Sequence, residues 1–120
     1  SRRAFLAAAA AAPLAPAFAA DPPTRTLVII AGTPSHPPGM HEFNAGVRLL
    51  EKALAAVPGL KTVVHLNGYP KDDSSLDSAD AIFCYADGGG GHPLIQGKRP
   101  ERVGALMAKG VGLMCAHYAV

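Results

Sequence analysis

The segment Thr26-Leu27-Val28-Ile29-Ile30-Ala31-Gly32 decides the fold. Five consecutive apolar residues, mostly β-branched, do not alternate with polar ones, so both faces of the strand they form must be covered; that is the pattern of an inner strand of a parallel sheet. Gly32 ends the run, and Thr33 to Gly39 follows as a loop with three prolines.

Downstream, Phe43, Val47, Leu50, Leu54 and Val57 recur at three- and four-residue steps while Arg48, Glu51 and Lys52 take the other side. This predicts an amphipathic helix from about Met40 to Val57, stopped by Pro58-Gly59. Lys61 to Leu66 reads as a second strand, Asn67 to Pro70 as a turn, and Lys71 to Ser78 as a polar connection. Asp80 to Ala86 is a third strand that runs into Gly88-Gly89-Gly90-Gly91-His92. Pro100 to Lys109 reads as a helix with Val103, Leu106 and Met107 inward and Gly110 as its stop. Val111 to Cys115 is a fourth strand, and no internal repeat is visible. Strands alternating with helices in this rhythm predict one α/β domain: an open, mainly parallel, doubly wound sheet with helices on both faces. Right-handed crossovers then bring every strand-to-helix loop to the carboxyl edge of the sheet, where such folds bind ligands.

Upstream, the domain begins near Thr26, and residues 20–25, with Pro22 and Pro23, read as a linker. Residues 1–19 combine Arg2-Arg3, an alanine-rich apolar run and the small-x-small triplet Ala17-Phe18-Ala19, the order of a cleavable signal peptide. The run is too short for a membrane span, which needs roughly 20 apolar residues, and prolines interrupt it. The paired arginines before Phe5-Leu6 are similar to the twin-arginine export motif, which implies folding before transport and a periplasmic or otherwise exported domain. The chain opens at Ser1 and stops at Val120 just past a strand, and is expected to be the N-terminal part of its domain.

The net charge of +2 falls to zero once residues 1–19 are set aside, with nine basic and nine acidic residues left. A balanced domain with no basic stripe gives no electrostatic reason for a nucleic-acid partner. Cys84 and Cys115 each lie inside an apolar run, which predicts buried, inert thiols rather than a disulfide.

Four of the five histidines follow apolar strands: His36 and His41 after the first, His92 after the third and His117 after the fourth. Imidazole serves both proton transfer and metal ligation, so their common edge predicts a shared site. His65, inside the second strand, is expected to be a packed or edge residue. Gly88 to Gly91 lacks the Gly-Lys-Ser/Thr ending of a phosphate-binding loop, but four glycines after a strand allow N–H groups to face a hydroxyl or an oxyanion. His41-Glu42 is not a zinc-protease motif, because Ala45 stands where the second histidine is needed. Asp87 and Glu42 are candidate carboxylates beside the histidines, and Tyr85 and Tyr118 candidate platforms for a sugar ring.

Three segments in order, Ile29 to Gly32 leading into Ser35-His36 and His41-Glu42-Phe43, Ala81-Ile82-Phe83 leading into Asp87 to His92, and Gly110 to Ala119, resemble ThuA-like (trehalose utilisation) domains. The resemblance covers the chain from about Thr26 onward. It implies a flavodoxin-like, class I glutamine amidotransferase-like fold, incomplete at the C-terminus here, and a role in carbohydrate metabolism on a keto-sugar or glycoside. In the amidotransferase relatives, a Gly-x-Cys-x-Gly elbow carries the nucleophile; in Cys115-Ala116-His117-Tyr118-Ala119 the elbow position falls on His117, which argues against glutamine hydrolysis.

The expected site has His117, His92, His36 and His41 as acid–base groups, with Asp87, Gly88, Gly89, Gly90, Gly91, Glu42 and Tyr118 holding substrate. No cofactor is expected, since the histidine spacings match no compact ligand signature. The alternatives are a divalent metal on His36, His41, His92 and His117 serving a hydrolase or isomerase, and a sugar-binding module without turnover.

Overall fold

The computed structural model describes residues 23–119. The signal-peptide reading of residues 1–19, residues 20–22 of the linker, and Val120 lie outside the described residues. The chain forms four strands, β1 (Arg25–Ala31), β2 (Leu60–His65), β3 (Ala81–Tyr85) and β4 (Gly112–Ala116), and two helices, α1 (Phe43–Leu54) and α2 (Arg99–Ala108). All pairings are parallel, in the order β2-β1-β3-β4. This is the open α/β, flavodoxin-like arrangement that the alternation of apolar runs and amphipathic stretches predicts.

The register explains the unbroken apolar run of β1. Ile29 stands opposite both Val64 and Phe83, and Ile30 opposite His65 and Cys84, so β1 has a neighbour on each side. Val28 and Ile30 face a core closed by Val103 and Leu106 of α2. Ile29 and Ala31 face Phe43 and Val47 of α1. One helix thus covers each face, and complete burial of Val28, Ile29 and Ile30 contributes about 1.5–3 kcal/mol for each side chain.

The strands and α2 differ from the sequence expectation by a single residue at their ends, and α1 differs by more. Helix α1 starts at Phe43 rather than Met40, because His41 takes a left-handed φ of 49° and Glu42 a non-helical ψ of 67°. It ends at Leu54, leaving Val57 exposed. In α2, Val103 and Leu106 point inward, but Met107 is half exposed and not part of the core. The polar connection Lys71 to Ser78 is not wholly irregular: Ser74–Ser78 forms a 3₁₀ turn that buries Leu76 completely. His65 is a part-buried residue of edge strand β2, hydrogen-bonded to the Ser75 hydroxyl at 2.8 Å.

In such folds the crevice lies where successive connections leave in opposite directions along the sheet, here between the carboxyl ends of β1 and β3. Gly32 holds that crevice tight. A Cβ at Gly32 would stand 2.7 Å from Ala86 Cβ and 2.9 Å from Ala86 Cα, a collision with backbone that only glycine avoids. The Gly32 N–H donates to the Tyr85 carbonyl at 2.8 Å, extending the β1–β3 ladder to the crevice floor.

Candidate functional site

Three loops meet at this crevice, and a carboxylate is their hub. The loop after β1 brings His36 and His41, the loop after β3 brings Asp87, and the turn after β4 brings His117. His117 Nε2 lies 3.1 Å from Asp87 Oδ1, a hydrogen bond. His41 Nδ1 is 3.6 Å from the same oxygen, and His36 Nδ1 is 3.8 Å from Oδ2. The rings are packed on each other: His41 lies 3.9 Å from His36 and 4.5 Å from His117, centroid to centroid.

The cluster is supported from below by aromatic packing. Phe43, the first residue of α1, is buried and sits 5.0 Å from the Tyr85 ring and 5.7 Å from His117. Tyr85 is itself pressed onto α1 at Gly46, where a Cβ would stand 2.7 Å from the Tyr85 ring. Tyr118, two-thirds exposed, lies 4.5 Å from His117 and offers its ring to solvent beside the cluster.

Two features store free energy here. His41 and His117 both occupy the left-handed region, with φ of 49° and 65°, at a cost of about 1–3 kcal/mol for a residue with a side chain. His41 Nδ1 is also buried with no hydrogen-bond partner. The Asp87 oxygen at 3.6 Å is beyond the ~2.7–3.2 Å of an N–H···O bond, and an unsatisfied buried polar atom costs about 1–3 kcal/mol.

Asp87 is held below the usual carboxylate range, first by a hydrogen bond from the Ser35 hydroxyl and further by the charges of His41, His117 and His36, against an opposing effect of burial. Ser35 Oγ is also 2.9 Å from His36 Nδ1, so one hydroxyl joins the carboxylate to the imidazole. In the sequence the only signal for Ser35 is its place one residue before His36.

The other expected residues are placed differently. His92 does not join the cluster: it is buried, its Nε2 is 3.2 Å from the Ala119 carbonyl, and its Nδ1 accepts the Leu94 N–H at 3.0 Å. Both nitrogens are engaged, and the ring ties the loop after β3 to the segment after β4. Gly89–Gly91 forms a 3₁₀ turn, with Gly89 at φ 62°. Gly88 passes so close to the Tyr118 carbonyl that any side chain would collide with it. Glu42 accepts the Gly39 N–H at 2.6 Å and lines a hollow of about 400 Å³ together with His36, His41, Met40 and Asn44. That volume falls in the ~300–1,000 Å³ range of small-molecule sites.

Cys115, at the end of β4, packs against the α2-side core and pairs in register with Cys84. Both thiols are free, Cys84 fully buried and Cys115 partly so. Burial pushes the Cys84 thiol up to about 12, with the neighbouring Cys115 adding to it, and burial also raises Cys115. Neither is activated as a nucleophile. Among the described residues no helix is long and apolar enough to cross a membrane.

The class these observations define is an open α/β domain with a histidine–aspartate cluster at its switch-point crevice. No family model, no curated protein and no solved structure matches the chain.

Proposed function

We propose that this is an exported carbohydrate-metabolism enzyme of the ThuA-like type, acting on a keto-sugar or glycoside at the β1–β3 crevice. The observation that carries the reading is the single carboxylate, Asp87, facing His36, His41 and His117 from three different loops. An anionic Asp87 accepts the Nε2 proton of His117, which fixes the tautomer and leaves Nδ1 free to take a proton from substrate. A carbon next to a keto group is acidified by that group, so one positioned imidazole serves enolisation, isomerisation or elimination of a glycosidic oxygen. The exposed ring of Tyr118 beside His117 suits the apolar face of a sugar, and the hollow bounded by Glu42 suits its hydroxyls.

The left-handed φ of His117 immediately after β4 supports the same reading, because that turn lifts the ring out of the sheet toward the crevice. With Cys84 and Cys115 both held as thiols, glutamine hydrolysis has no nucleophile among the described residues at this strand end. Export rests on the Arg2-Arg3 signal pattern.

The test is turnover of a 3-keto-glycoside by the full-length protein. His117→Ala is expected to lower kcat by about 10²–10⁴-fold, the usual contribution of a positioned general acid–base group. Unchanged turnover in that variant refutes the assignment. Calorimetric binding of sugars with no product in the wild type would identify a binding module instead.

A further inference from the structure

We propose that His36, His41 and Asp87 form the protein face of a divalent-metal site, for a first-row ion of the zinc class. It uses the crevice given to sugar chemistry above, and its bearing on that chemistry rests on that reading; the binding of the ion does not.

The geometry is that of ligands around a shared centre rather than of ion pairs. A ligand atom from each of the three residues lies within 4.8 Å of the other two. His41 Nδ1 stands 3.6 Å from Asp87 Oδ1 and His36 Nδ1 3.8 Å from Asp87 Oδ2, both too long for hydrogen bonds and wider than the ~3.3 Å between ligands held at ~2.0–2.1 Å on a tetrahedral ion. Seating one ion requires ligand atoms that now stand up to 4.8 Å apart to close by as much as about 1.5 Å, and an ion on His36 Nδ1 replaces its 2.9 Å contact with Ser35 Oγ.

A second, independent observation is the condition of His41. Its Nδ1 is buried, has no partner, and is turned toward Asp87 by a backbone in the left-handed region. A nitrogen kept away from water without an acceptor gains its missing partner when an ion sits between it and the carboxylate. His117 has a different part: its Nε2 already holds Asp87 Oδ1 at 3.1 Å and orients the carboxylate.

Two imidazoles and a carboxylate leave coordination positions open. That is the composition of sites in which the ion acts on substrate, and hydroxyl and keto oxygens are suitable further ligands. Compared with the alternative raised by the spacing of the histidines, the donor set exchanges His92 for Asp87. His92 is excluded because its Nε2 is engaged at the Ala119 carbonyl and its Nδ1 by the Leu94 N–H, away from Asp87.

The experiment uses full-length protein stripped with chelator and titrated with Zn²⁺, and separately with Co²⁺, in the absence of any sugar. Wild type is expected to bind one ion per chain, with visible d–d absorption from Co²⁺ and a rise in Tm. His41→Gln and Asp87→Asn are expected to weaken binding at least a hundredfold while their metal-free far-ultraviolet dichroism matches that of the metal-free wild type. His117→Ala is expected to weaken it only about ten- to a hundredfold, at unchanged stoichiometry. Failure of wild type to bind one ion overturns the site, as does unaltered affinity in both His41→Gln and Asp87→Asn. An ion bound without sugar turnover leaves the site standing and removes the sugar reading; sugar turnover by wild type that fails to bind an ion does the reverse.

Discussion

At the scale of single residues, sequence and fold part company over which histidines act together. His36, His41, His92 and His117 all follow strands, and nothing in their spacing separates three that converge from one that does not. The separation is made in space: His92 turns into the core and holds the Ala119 carbonyl, while His117 turns out toward Asp87. Asp87 was legible as one of two candidate carboxylates beside the histidines, but that it rather than Glu42 is the hub was not, because its partners stand 46, 51 and 30 positions away in the chain. His92→Ala should therefore behave as a structural lesion. Removing the ring strands the buried Leu94 N–H and Ala119 carbonyl, and the loss is expected to be about 2 kcal/mol. Denaturant midpoints at constant m-value measure it; a midpoint within error of wild type would show that the clamp carries no stability.

At the scale of elements, β1 and β3 were legible because inner parallel strands admit no polar residue on either face. The α1 stripe was legible from Phe43 to Leu54. Its start was not, since the left-handed turn at His41 belongs to the site rather than to helix propensity. The 3₁₀ turn Ser74–Ser78 escaped because its one buried apolar residue, Leu76, leaves no periodicity to read. That turn and edge strand β2 are joined by His65 and Ser75, and the junction has a pH dependence. Burial lowers the His65 pKa from 6.5, with Asp72 opposing the shift. The unfolded chain therefore takes up the proton first as pH falls. The contribution of neutral His65 is present above about pH 6.5 and is lost as pH falls from there through the lower folded value. Stability should decline over that range in wild type, and the decline should be shallower in His65→Gln. Equal slopes in chemical denaturation from pH 7.5 to 5 would exclude His65 as its source.

At the scale of the whole molecule, the two faces of the sheet are unequally finished. Val28 to Ala31 of β1 are buried on both faces, whereas Phe83 of β3 borders an open groove and β4 pairs only with β3 among the described residues and leaves Leu113 and Met114 exposed. Beside them Leu27, Leu50, Leu54 and Phe83 line a groove of about 460 Å³, larger than the hollow at the histidine cluster but without a polar side chain to orient a ligand. The apolar content of β4 was legible as that of an inner strand; the exposure of its residues was not, since it depends on what lies beside and above the strand. Unpaired N–H and C=O groups along an apolar edge are a template for another strand, and natural edges carry lysine to prevent this. A polypeptide limited to these 120 residues, whose outer β4 edge is unpaired among the described residues, is therefore expected to self-associate through β4. Met114, 61% exposed, is the position at which a charge opposes association with little disturbance of the core. Burying a methionine side chain contributes about 1.5–3 kcal/mol, so Met114→Lys should weaken self-association by at least tenfold in sedimentation velocity. The monomer should keep its helix and strand content by circular dichroism, because no core side chain changes. A concentration dependence identical to wild type would place the contact elsewhere on the molecule.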